Sequence, residues 1–125
     1  MHKLILAATL ALAATGASAQ DQAIGTYMTL LGPEDLVNSS GVRLQSAAAI
    51  VAQDRANYHR FGIRHQGDQS DPWFSGRGHR MAIPDLVDIS DVEAAIIVRQ
   101  GAWVAVTVYA DPTGQMTRMW VQIPG

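Results

Sequence analysis

Cysteine is absent from the 125 residues. That absence excludes a disulfide framework, a cysteine-ligated zinc site, a thiol nucleophile and the lipid attachment that marks a lipoprotein. Lysine occurs once, at Lys3, so every later permanent cation is an arginine, at positions 43, 55, 60, 64, 77, 80, 99 and 118. A phosphate-loop lysine and Schiff-base chemistry are excluded with it. HExxH and an EF-hand loop are missing, as is any G-x-S-x-G elbow to support Ser75, four residues before His79. There is no internal repeat and no low-complexity linker.

An excess of positive charge is missing too. From residue 20 onward eight arginines face eleven carboxylates, a net charge of −3. A protein that binds nucleic acid or an anionic membrane over its whole surface is usually basic, so no nucleic-acid partner is expected.

What is present begins at the N-terminus. Met1-His2-Lys3 is a short basic start, Leu4 to Ala14 is an apolar run, and Ala17-Ser18-Ala19 puts small residues at the −3 and −1 positions of a cleavage site. This pattern reads as a cleaved signal peptide over residues 1–19. The run is shorter than the ~18–20 apolar residues of a spanning helix, and Gly16 follows it closely. The expected product is a periplasmic or secreted protein in which residues 20–125 form one small globular domain. Without disulfides its stability rests on an apolar core.

Local patterns predict an α+β fold. Ile24, Thr26, Met28 and Leu30 alternate through a strand at about 23–31, which Gly32-Pro33 ends. Ser46 and Gly62 bracket a helix at about 46–61, with Leu44, Ala47, Ala48, Val51, Arg55 and Tyr58 along one face and Ile50, Asp54, Asn57 and Phe61 on the next. Ile63 to Pro84 carries Gly67, Pro72, Gly76, Gly78 and Pro84 and reads as a long loop with at most one helical turn. Ser90 and Glu93 form a capping-box pattern for a shorter helix at about 91–100, although Ile96, Ile97 and Val98 also suit a strand.

The C-terminus reads as a β-hairpin, 102–110 with 116–124, around Asp111-Pro112-Thr113-Gly114. Pairing Ala110 with Gln115 sets Val106 against Met119 and Val104 against Val121 on one apolar face. Trp103, Tyr109, Arg118 and Trp120 share the other face, which a helix or the N-terminal strand is expected to cover. A lone hairpin is marginal in water, so the expected architecture is a small antiparallel sheet packed against both helices.

Chemistry concentrates between Asp54 and Arg80, where five arginines outnumber three aspartates and all three later histidines lie. Two duties are open to these groups. Arg55, Tyr58, His59, Arg60, Arg64, Arg77, His79 and Arg80 suit recognition of an acidic protein surface or a small anionic ligand, because guanidinium forks match carboxylates and phosphates. Alternatively Asp54, Asp68 and Asp71 pair with arginines and staple the loop, while Trp73 and Phe74 plug into the core.

The alternative to a binding module is a small metal-dependent hydrolase or nuclease using His59, His65 and His79 with Asp68 and Asp71. Arg77-Gly78-His79 is similar to three residues of the Asp-Arg-Gly-His motif of ββα-metal nucleases, but Gly76 stands at the acid position. With no complete catalytic motif, the sequence favours an exported, non-enzymatic binding or accessory protein for which no cofactor is expected.

Overall fold

The computed structural model describes Gln20–Gly125; the expected signal peptide at 1–19 lies outside the described residues. The elements are β1 (Gln22–Leu31), a 3-10 turn (Pro33–Asp35), α1 (Ala47–Ala56) running into a π-helical turn (Asn57–Phe61), α2 (Arg77–Leu86), β2 (Val87–Asp88), α3 (Asp91–Gln100), β3 (Ala102–Ala110) and β4 (Met116–Gln122). One four-stranded sheet has the order β1-β3-β4-β2. Its β1–β3 and β3–β4 pairs are antiparallel, while β2 pairs parallel with β4. The fold is α+β, and the sheet is mixed rather than purely antiparallel. Among the described residues no helix is long and apolar enough to cross a membrane.

Both expected long helices have their expected caps. Ser46 Oγ accepts from the Ala49 amide, and Gly62 closes the helix in the left-handed region at φ 68°. At α3, Ser90 Oγ accepts from the Glu93 amide and donates to Glu93 Oε1, so the Ser90 cap prevails over the β-branched run, although the reciprocal bond to the Ser90 amide that completes a capping box is not made. The end of α1 departs from the regular pattern. Asn57 and Tyr58 are buried on the faces expected of them, but the π-helical turn changes the phase by its end, and Phe61 is left 44% exposed.

The stretch expected to be loop up to Pro84 instead runs into the ten-residue α2, which begins at Arg77 and ends at Leu86. Gly76, Gly78 and Pro84 hide it in the sequence. Gly76 is its extended N-cap, and Pro84 sits two residues before its end, where few backbone bonds remain to be lost.

The hairpin keeps its predicted faces but not its predicted register. Val106 pairs with Val121 and Val108 with Met119, a shift of two residues, and β4 ends at Gln122. The cause is a longer turn. Asp111 Oδ1 accepts from the Thr113 and Gln115 amides, and a bulge follows between Tyr109 and Ala110. Because the side-chain period of a strand is two, a shift of two leaves every residue on the same face.

Val104, Val106, Val108, Met119 and Val121 meet Ile50 and Val51 of α1, Ile83 of α2 and Ile97 of α3 in one core. On β1 the core-facing set is Tyr27, Thr29 and Leu31, opposite to the alternating set that marks the strand in the sequence. All three helices lie on this side. Among the described residues the second face of the sheet is therefore not covered by a helix, and β1 lies beside β3 rather than over it. Trp103 and Trp120 remain 36% and 39% exposed there. Arg118 lies over the Tyr109 ring and pairs with Asp88 at 2.7 Å.

Gly101 joins α3 to β3 at φ 75° and ψ 176°, a conformation open almost only to glycine, and a Cβ there would run into the Leu31 carbonyl oxygen. We expect Gly101→Ala to cost about 3 kcal/mol or more of unfolding free energy, from backbone strain plus the clash. Urea denaturation followed by circular dichroism measures it. A loss below about 1 kcal/mol, the scale of an ordinary surface change, would contradict this account.

Candidate functional site

The eight arginine, histidine and tyrosine residues singled out in the sequence divide among three places. Arg55, Tyr58, His59 and Arg64 form the first, at the junction of α1, β1 and the following loop. Arg55 has no exposed surface. Its Nε donates to Asp54 at 2.9 Å and one terminal nitrogen to Asp71 at 2.8 Å and the Gln69 carbonyl at 3.1 Å. The other terminal nitrogen donates to Thr29 Oγ1 at 3.2 Å. The guanidinium also lies over the rings of Tyr27 and Tyr58, at 4.1 and 4.7 Å. His59 Nε2 contacts the same Asp71 oxygen at 2.7 Å, and Arg64 covers the outer side of Tyr58 at 4.0 Å.

Asp71 also accepts from the Trp73 and Phe74 amides, which seats Phe74 fully in the core. Burial alone would raise the Asp71 carboxyl; His59, Arg55 and the two amides outweigh it and hold the pKa below its usual value. Asp54 goes the other way. Burial pushes it up to about 7, against the pull of Arg55 and Thr29. Burial also raises the Tyr27 phenol, which stays neutral with its hydroxyl unpaired.

His65 and Asp68 belong to a separate cluster at the end of β1. His65 Nε2 contacts Glu34 at 2.7 Å, and its Nδ1 lies 3.3 Å from Asp68 and 3.9 Å from Asp35. Asp68 accepts from the Leu30 and His65 amides, and Gln69 exchanges bonds with the Met28 backbone. The loop thus satisfies the outer edge of β1 as a further strand would. The third histidine, His79, is on α2 and contacts the Trp73 carbonyl at 2.9 Å. The residues named for a metal are therefore split as His59 with Asp71, His65 with Asp68, and His79 apart. Among the described residues no group of three or more histidine, aspartate or glutamate side chains is arranged to hold a metal ion. The reason is local: each histidine is drawn to a different partner within the staple.

The remaining arginines meet on the surface. Arg60, Arg77 and Arg80 line a groove of about 370 Å³ between α1 and α2. Ala49, Ala52, Ala56 and Pro84 give it an apolar lining, with Met81 and Gln53 at its sides. Among the described residues no carboxylate lines it. Arg80 is anchored by the Phe74 and Ser75 carbonyls, at 3.0 and 2.7 Å, whereas Arg60 and Arg77 are exposed. The sequence names these three cations, but only the unexpected α2 brings Arg77 and Arg80 to Arg60.

No family model, curated protein or solved structure matches the chain.

Two expectations follow from the buried cluster. Arg55→Ala strands two buried carboxylates without their cation and should cost about 3–5 kcal/mol. Arg55→Lys, which retains the charge but not the fork, should recover only part of that in a urea titration.

The second expectation concerns pH. The bond to Glu34 holds the His65 pKa above 6.5, with Asp35 and Asp68 adding to it against burial. A raised pKa means stabilisation that is complete below 6.5 and lost as pH rises through the folded value. Asp54 acts in the same sense between 3.8 and about 7. Glu34 and Asp71, both lowered, lose their contribution as pH falls below their usual range. The melting temperature should therefore peak in mildly acidic solution. His65→Gln should flatten the decline above pH 6.5, and an unchanged decline in a melting series from pH 5 to 9 would count against the role given to His65.

Proposed function

We propose that this chain is an exported, non-enzymatic interaction module that takes an anionic partner in the groove between α1 and α2. One observation carries the reading: three guanidiniums line a single apolar groove that contains no carboxylate, in a chain with a net charge of −3 from residue 20 onward. Guanidinium forks bind carboxylates in pairs of hydrogen bonds, and an apolar floor strengthens such bonds by lowering the local dielectric. Arg80 supplies a fixed donor, since its position is set by two backbone carbonyls. Arg60 and Arg77 can close on the ligand. Acidic surfaces elsewhere would repel an anionic partner, which favours this groove as its one landing site. The N-terminal pattern of residues 1–19 supports placing this encounter outside the cytoplasm.

Hexaglutamate is a suitable probe. Binding measured by nuclear magnetic resonance titration should perturb α1 and α2 and weaken as salt is added. The double variant Arg60→Glu with Arg77→Glu should lose at least tenfold in affinity with an unchanged melting temperature, while Arg99→Glu, outside the groove, should bind as the parent does. Equal losses in both variants, or no binding at all, would overturn the proposal.

A further inference from the structure

The arginine groove does not end at Gln53. That side chain also borders a second groove, of about 550 Å³, on the other flank of α1. Its apolar walls are Val37, Phe61 and Ile63, and Glu34 at its margin is engaged by His65. Phe61 and Ile63 are 44% and 40% exposed, which follows from the π-helical turn and the Gly62 cap that direct the chain out of the helix. One side of α1 is thus cationic and the other apolar, with Gln53 as the ridge between them.

We propose that the ligand is an acidic peptide segment of a partner protein, whose carboxylates engage Arg60, Arg77 and Arg80 while an apolar side chain crosses Gln53 into the Phe61–Ile63 groove. This inference rests on the reading of the arginine groove as the binding site. Charge complementarity selects the acidic part. The form of the two grooves selects a peptide over a fatty carboxylate. Small-molecule sites enclose most of their ligand, and here the walls themselves, Met81, Phe61 and Ile63, stand open to solvent. A peptide lies well in such troughs, because it needs only a side chain at each contact. Because the one side chain Gln53 borders both grooves, a two-residue spacer, about 7 Å of extended chain, separates the acidic and apolar contacts.

The test compares hexaglutamate with hexaglutamate extended by Gly-Gly-Phe, each titrated into the isotopically labelled protein. Hexaglutamate should shift resonances of Arg60, Arg77 and the α1–α2 amides only. The extended peptide should bind at least tenfold more tightly and add shifts at Phe61 and Ile63. Ile63→Ser should abolish that gain and leave hexaglutamate affinity unchanged. If the extended peptide binds no more tightly, this inference fails while the arginine groove stands as a site. If vesicles of phosphatidylglycerol bind at the groove and neither peptide does, the peptide is the wrong ligand. If the same resonances shift with protein concentration alone, the occupant is a second copy of the chain. If no probe binds, the groove itself is not a site and both readings fall.

Discussion

The fold depends on one buried cation. Arg55 touches β1 through Thr29 and Tyr27, α1 through Asp54, and the loop through Asp71 and the Gln69 carbonyl. Burying a guanidinium is costly unless its donors are matched, and here Nε and both terminal nitrogens have acceptors while aromatic rings flank its plane. A chain with no cysteine has no covalent means of fixing a fifteen-residue connection such as 62–76. The polar knot does that work instead. Once it holds Asp71, the neighbouring amides follow, Phe74 enters the core, and the chain is set up to begin α2 at Arg77.

The same knot explains what sequence reasoning could and could not find. Helix ends were legible where a side chain makes the cap, as at Ser46 and Ser90, because that chemistry is local. Strand faces were legible because alternation survives a register error of two. Helix α2 was not, since its interior glycine and proline contradict local propensity and its support comes from Ile83 in the core and Arg80 on two carbonyls. Strand β2 is two residues long and exists only through its pairing with β4. The phase change after Ala56 has no sequence mark, so Phe61 was placed on the same face as buried Ile50 and is found largely exposed.

For the candidate site, the division of labour within residues 54–80 was not legible in the sequence. Stapling and recognition appeared as competing duties for one set of arginines. The geometry assigns Arg55 wholly to the first, because it is adjacent to Asp54 and within reach of Asp71. It leaves Arg60 and Arg77 on the surface, because the first continues the helical stripe of Ala49, Gln53 and Ala56 and α2 presents the second at its start. The histidines, read together as a possible ligand set, are each consumed by a separate contact with Asp71, Glu34 or the Trp73 carbonyl.

The two duties are causally linked. Between residues 54 and 80 there are three carboxylates, and all three are drawn inside, with side chains no more than 2% exposed. Asp54 and Asp71 go to Arg55, and Asp71 and Asp68 to histidines. A segment whose formal excess is only +2 therefore shows the solvent Arg60, Arg64 and Arg77 without its anions. The charge of the groove is a by-product of the way the loop is fastened. A change that loosens the staple would release carboxylates toward the surface and lower the positive potential of the groove at a distance, without touching any groove residue. If the groove is the anion site we propose, stability and recognition are coupled through electrostatics, with Arg55 on one side of the exchange and Arg60 and Arg77 on the other.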